Sequence, residues 1–158
     1  MPKVLFVCLG NICRSPAAEA VFRQQVVAAG LVDQIEIDSA GTSDWHLGKA
    51  PDQRMQAIAE QRGYDLSGLR ARQITAEDLD HYDLILVMDK KNQADVEVLA
   101  TELEQLEKIR LLLSFNPGAI QEVPDPYYGE AADFHQVIDL VESANQRLLV
   151  HLRQRFAL

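Results

Sequence analysis

Cys8 and Arg14 are separated by five residues in Cys8-Leu9-Gly10-Asn11-Ile12-Cys13-Arg14-Ser15-Pro16. This stretch follows the short apolar run Val4–Val7 and leads into a helical pattern, with Pro16 suited to the opening turn. A loop of that size closes around a phosphate. Its backbone N–H groups turn inward, and the helix N-terminus adds positive potential. Arg14 supplies a planar fork for two oxyanion oxygens. The same potential favours Cys8 as a thiolate, the nucleophilic form.

A second segment, Pro124-Asp125-Pro126-Tyr127-Tyr128, offers a carboxyl group between two prolines whose fixed φ angles limit its range. Such an acid protonates a departing alkoxide or phenoxide and, once ionised, activates a water. On its own the segment also reads as a plain turn. Beside the cysteine loop, the acid–base reading is the stronger one.

Other chemistries fit the loop less well. A nucleotide-binding loop ends in Gly-Lys-Ser/Thr, and no such lysine is present. A redox pair places two residues between its cysteines, whereas Cys8 and Cys13 have four. Two cysteines and scattered histidines make a poor zinc site, so neither metal nor cofactor is expected. A buried structural cysteine at a strand end remains the bland alternative.

The positioning elements alternate. Strands are expected at Val4–Val7, Ile35–Ile37, Asp83–Met88 and Ile109–Leu112. Helices are expected over 16–29, 51–62, 90–107 (as one or two) and 131–155. Repeated βα units imply a single α/β domain over residues 1–158. It has three layers, with a central four-stranded parallel sheet, helices on both faces and the phosphate-binding loop after strand 1. Ligands of such sheets sit at the carboxyl ends of the strands. The loops starting at Cys8, Ser39, Met88 and Asn116 should therefore meet there.

The chain has 158 residues, 47% hydrophobic and 25% charged, an ordinary globular composition. With 15 Lys plus Arg against 24 Asp plus Glu, its net charge of -9 opposes nucleic acid and anionic membranes as partners. No apolar run approaches the ~20 residues that span a bilayer, and the start is too short for a signal peptide. Two cysteines are too few for a disulfide framework, so a reducing cytoplasm is expected; a monomer is expected as well.

The paired motifs resemble the low-molecular-weight protein tyrosine phosphatases, which carry a Cys-x5-Arg-Ser loop near one end and Asp-Pro-Tyr near the other. Asp38–Thr42, Ala71–Ile74 and Val87–Asp89 also look like family segments, so the resemblance spans almost the whole chain. It implies hydrolysis of phosphotyrosine proteins or small aryl phosphates, with inorganic phosphate as product and competing ligand. Cys8 would be the nucleophile, Arg14 the phosphate clamp and Asp125 the acid, then base. Ser15 would hydrogen-bond the thiolate, and Asn11 would hold the loop in shape with Ser39 as partner. Leu9, Ile12, Trp45, Tyr127 and Tyr128 would wall an aryl slot, while Gly10 completes the loop. The resemblance further implies a reversible Cys8–Cys13 disulfide under oxidation.

Three points stay open in the sequence. Asp89 either orients Arg14 or caps the next helix, with the cap favoured. His46 either touches substrate or is a solvated loop residue, and the second is favoured. Gly68 and Leu69 replace polar residues that brace the loop in some members, so Ser39 needs another support. Rival functions are a thiol-dependent arsenate reductase, a phosphopeptide-binding module and a phosphocarrier. The first lacks further cysteines after Cys13, and the other two have little use for Asp125.

Overall fold

The computed structural model describes residues 1–158. Its elements in order are β1 (Lys3–Cys8), α1 (Arg14–Ala28), β2 (Glu36–Gly41), α2 (Gln53–Gln61) and the short α3 (Asp78–His81). Then follow β3 (Leu84–Val87), α4 (Lys90–Glu97), α5 (Leu103–Glu107), β4 (Ile109–Leu111), a 3-10 turn (Leu112–Phe115) and α6 (Ala131–Phe156). The four strands are parallel and lie side by side in the order β2-β1-β3-β4.

Alternation along the strands explains the three layers. Val4, Phe6 and Cys8 point into a large apolar cluster with α1, α2 and α6. Leu5 and Val7 point the other way, into a smaller cluster with Leu79 of α3 and Val96 of α4. Strand β1 is apolar throughout because both of its faces are covered. Phe6 meets Phe22 of α1 edge-on, with ring centroids 5.8 Å apart.

Because β2 and β3 flank β1 on opposite sides, the chain switches direction across the sheet at the C-terminal end of β1. That is where a crevice opens in this class of sheet. The loop from Cys8 to Arg14 occupies it.

Two elements differ from the sequence expectation, and one open alternative is resolved. Strand β2 continues past Ile37 to Gly41, in register with β1 from Lys3↔Glu36 to Cys8↔Gly41. Asp38 and Ser39 are weak strand formers, but pairing with the central strand overrides that preference. Lys90–Glu107 splits into α4 and α5, with Asp89 and Glu102 at the two N-caps. The one-turn α3 was not expected; four residues are too few for a helical period to register.

Gly41 ends β2 directly beneath the loop. A Cβ there would lie 2.8 Å from the Leu9 carbonyl oxygen and 3.1 Å from the Asn11 nitrogen. Both are backbone atoms and cannot swing aside. Gly41→Ala is therefore expected to lower stability by about 1–3 kcal/mol through forced backbone shifts. Because those shifts fall on the loop, oxyanion affinity should fall with it. Urea unfolding and inorganic phosphate titration check the two effects; an intact affinity would show that the loop is not braced by this contact.

Candidate active site

The loop between β1 and α1 spends no hydrogen bonds on itself. The five consecutive N–H groups of Leu9, Gly10, Asn11, Ile12 and Cys13 have no acceptor in the protein. Its carbonyls, by contrast, tie it to neighbouring segments. Cys8 O accepts from Thr42 N (2.9 Å), Leu9 O from Ser43 N (2.9 Å), and Ile12 O from Asp52 N (2.8 Å). A run of unpaired donors at a helix N-terminus is an anion-binding nest.

Asn11 holds the loop's shape. Its φ of 55° is left-handed, a conformation Asn tolerates better than most residues. Its Oδ1 accepts from the backbone N–H of Arg72 at 3.0 Å, which fixes the amide's orientation. Nδ2 then donates to Ser15 Oγ at 2.8 Å and to Ser39 Oγ at 3.0 Å. Each hydroxyl, having accepted, has its own proton to give. Ser39 donates to Glu19 Oε1 at 2.6 Å, and Ser15 Oγ lies 3.0 Å from Cys8 Sγ. The Ser39 proton thus goes to the Glu19 carboxylate, while the Ser15 hydroxyl stands between the sulfur and the Ala40 carbonyl oxygen, 3.4 Å away.

Arg14 is 3% exposed and anchored at one end of its fork. Nη1 donates to Asp89 Oδ2 at 2.6 Å and to the Val123 carbonyl at 3.1 Å. Nη2 lies 3.7 Å from Asp125 Oδ2, so that edge of the guanidinium faces the cleft. Burial opposes its charge, but Cys8, Asp89 and Asp125 outweigh burial and hold it above its ordinary value. Asp89 also caps α4, its Oδ1 accepting from Asn92 N at 2.8 Å. The cap and the arginine anchor coexist because they use different carboxylate oxygens.

Asp125 stands opposite the loop. Its Oδ1 accepts from Tyr127 N at 3.1 Å, a local turn that leaves Oδ2 toward Arg14. Tyr127 rests against Arg54, whose guanidinium carbon is 5.4 Å from that ring and 4.8 Å from the Phe134 ring.

Cys8, Arg14 and Asp125 open into one cleft of about 310 Å³. Leu9, Ile12, Trp45, Tyr127 and Tyr128 line it, with Gly10 and Cys13 completing the loop side. Trp45 is 66% exposed and Tyr128 is 97% exposed, so both act at the rim. His46 is half-buried and lines the cleft, its ring 2.9 Å from where a Cβ on Gly10 would stand, so a side chain there would have to push the ring aside.

A family model described as low molecular weight phosphotyrosine protein phosphatase matches residues 3–157. The chain belongs to that family. A low-molecular-weight protein-tyrosine-phosphatase of Streptomyces coelicolor is 42% identical over 97% of this chain and 94% of its own. A protein tyrosine phosphatase of Entamoeba histolytica, solved with Hepes in its active site, superposes with a TM-score of 0.93. It is 38% identical and covers 98% of both chains. A Drosophila arginine phosphatase superposes at 0.89 with 33% identity, covering 96% of this chain and 98% of its own. As a member of this low-molecular-weight family, the protein is a phosphatase.

Within this low-molecular-weight phosphatase, both cysteines are buried and unbridged. Burial pushes the Cys13 thiol far above its usual range, with Asp52 and Cys8 adding to the effect, so Cys13 is held as a neutral thiol. Glu19 is the residue that sequence reading missed. It is 2% exposed and supports Ser39 by accepting its hydroxyl proton. The available signal was a single acidic residue inside the apolar run Ala17-Ala18-Glu19-Ala20-Val21-Phe22.

Burial pushes the Glu19 carboxyl up from its ordinary 4.5, and hydrogen bonds from Ser39 and Arg23 only partly restrain it. The folded state therefore binds a proton that the unfolded chain has already released in the window above 4.5. Stability should fall as pH rises through that window. Urea unfolding of wild type and Glu19→Gln between about pH 4 and pH 7 isolates the effect. The difference, wild type minus variant, is expected to decline with rising pH; a flat or rising difference would remove Glu19 as a strained buried carboxylate.

Proposed function

We propose that the protein hydrolyses phosphotyrosine in proteins, and small aryl phosphates, through a cysteinyl-phosphate on Cys8. One observation carries this reading: Cys8 Sγ, bonded to Ser15, lies in the same cleft as five unpaired amides, the open edge of Arg14 and the Asp125 carboxyl.

The amides and Arg14 hold the non-bridging phosphate oxygens and match the charge that spreads over them during transfer. Cys8 Sγ attacks phosphorus in line with the ester oxygen, and the P–O bond breaks. Asp125 gives its proton to the departing phenoxide. The same carboxylate then takes a proton from water, whose oxygen attacks phosphorus. The S–P bond breaks, inorganic phosphate leaves, and the Ser15 hydroxyl donates to the returning thiolate. No external oxidant or reductant enters the cycle.

Substrate class follows from the walls. Leu9, Ile12, Trp45 and Tyr127 offer apolar and aromatic surface suited to a flat phenyl ring. A phosphoarginine substrate, the kind suggested by the Drosophila relative's description, would set a polar guanidino group against Leu9 and Ile12. The aryl ester is accordingly the preferred ligand. All these groups come from one chain, so action as a monomer belongs to the proposal. So does a reducing, cytoplasmic location, since a Cys8 nucleophile must stay unoxidised.

The direct test is mass spectrometry of enzyme quenched in acid during turnover of an aryl phosphate, beside Cys8→Ser. A phosphoryl adduct on Cys8, absent from the variant, is expected. No turnover and no adduct in folded, reduced protein would put the binding-module or arsenate readings ahead.

Asp125→Asn separates the proton donor from the rest of the machinery. Esters with poor leaving groups should slow by about 10²–10⁴-fold, while nitrophenyl esters, which need no proton, should slow far less. Rates across a series of phenols check this; equal losses along the series would exclude Asp125 as the acid.

A further inference from the structure

Five arginines, Arg14, Arg23, Arg54, Arg62 and Arg72, each meet a carboxylate. Arg70, Arg110, Arg147, Arg153 and Arg155 meet none, although the chain carries a net charge of -9. Of these five, Arg110, Arg147 and Arg155 lie toward one face. Arg147, His151 and Arg155 recur every four residues along α6 and so share one stripe. Ser143, one turn earlier, bonds Asn116 at 3.4 Å, which shows that this stripe looks onto the segment following β4.

Arg110 approaches from the other side. It stands opposite Leu86 in the β3–β4 register, and Leu86 packs in the cluster that includes α6. Its guanidinium therefore emerges on the α6 side of the edge strand, 4.1 Å over the Phe115 ring and 3.2 Å from Ser114 Oγ. His151 meets the same ring edge-on, with centroids 5.3 Å apart. Phe115 thus holds a guanidinium and an imidazole in fixed places, with the Ser114 hydroxyl beside them.

We propose that this face, between β4 and the C-terminal half of α6, binds a phosphate group held by Arg110, His151 and Arg155. Burial lowers the proton affinity of both Arg110 and His151, and neighbouring arginines lower it further. No carboxylate pairs with Arg110 or Arg155, so positive potential is left uncompensated there, and an anion relieves it. The helix dipole accounts for Arg155 alone, which lies in the last turn; Arg110 is on another element and Arg147 two turns earlier. A long polyanion would also meet the acidic remainder of the surface, so a single phosphate group is favoured over nucleic acid or membrane. None of these residues lines the catalytic cleft.

The test is NMR titration of the full chain with inorganic phosphate at pH 6.5 and constant ionic strength. The His151 ring proton reports this face, and the Trp45 indole reports the cleft. A saturable move of His151 toward its imidazolium position is expected, with an affinity distinct from the Trp45 response. Combining Arg110→Gln with Arg155→Gln should weaken the His151 response at least tenfold while turnover and the Trp45 response stay unchanged. A His151 response that does not saturate, or that the double variant leaves intact, would overturn the proposal. A phosphoserine peptide forms the second arm. Tighter binding than inorganic phosphate assigns the site to a phosphorylated protein segment, and weaker binding assigns it to the free ion; both uphold it.

Discussion

Five adjacent backbone donors left without acceptors are the constraint around which this protein is organised. Chains ordinarily avoid that state, because an unmet buried N–H costs about 1–3 kcal/mol. Three of its carbonyls are claimed by Thr42, Ser43 and Asp52, which fixes the backbone with its N–H groups turned away from those neighbours. Gly41 lets β2 end close beneath it, and Asn11 sets its left-handed bend. The sheet contributes the rest. With β1 flanked by both neighbours, the loop emerges at the switch point with a packed floor and an open roof.

Charge is then arranged around a molecule that is acidic overall. The Asn11 amide sends its two protons toward two serines, and these pass hydrogen bonds to Cys8 on one side and Glu19 on the other. The buried Glu19 fixes which way Ser39 points. It therefore steadies Asn11. Arg14 is treated in the same manner: Asp89 and Val123 hold one side of its fork so that the other is presented without freedom to fold away. Anchoring of this kind lowers the entropy lost when an oxyanion arrives.

Much of this was legible in the residues. Cys8, Arg14 and Asp125 have types and spacings tied to local chemistry, and the strands and longer helices carry strong periodicity. What escaped was set by tertiary pairing. Ser39 belongs to a strand only because β1 offers it a six-residue ladder. Glu19 is buried because α1 lies against β2, and the apolar run around it marks an odd acid without saying what it would bond. Asp89 looked like a choice between two tasks because the sequence cannot show that its two oxygens face different neighbours.

The two halves of the cleft differ in rigidity, and the chemistry requires that difference. The loop is cross-tied to its neighbours, as a group proposed to stabilise transition-state charge should be. Asp125 is carried on a long connection, and its side chain is 46% exposed. In the proposed cycle it meets a leaving group in one step and a water in the next, so some freedom suits it. Even so, the connection is fastened on either side of the acid. Val123 pairs with Met88, Glu122 accepts from Lys90 N, and Arg54 lies over Tyr127. These ties bring the carboxyl within 3.7 Å of Arg14 while leaving its cleft-side oxygen open to exchange protons.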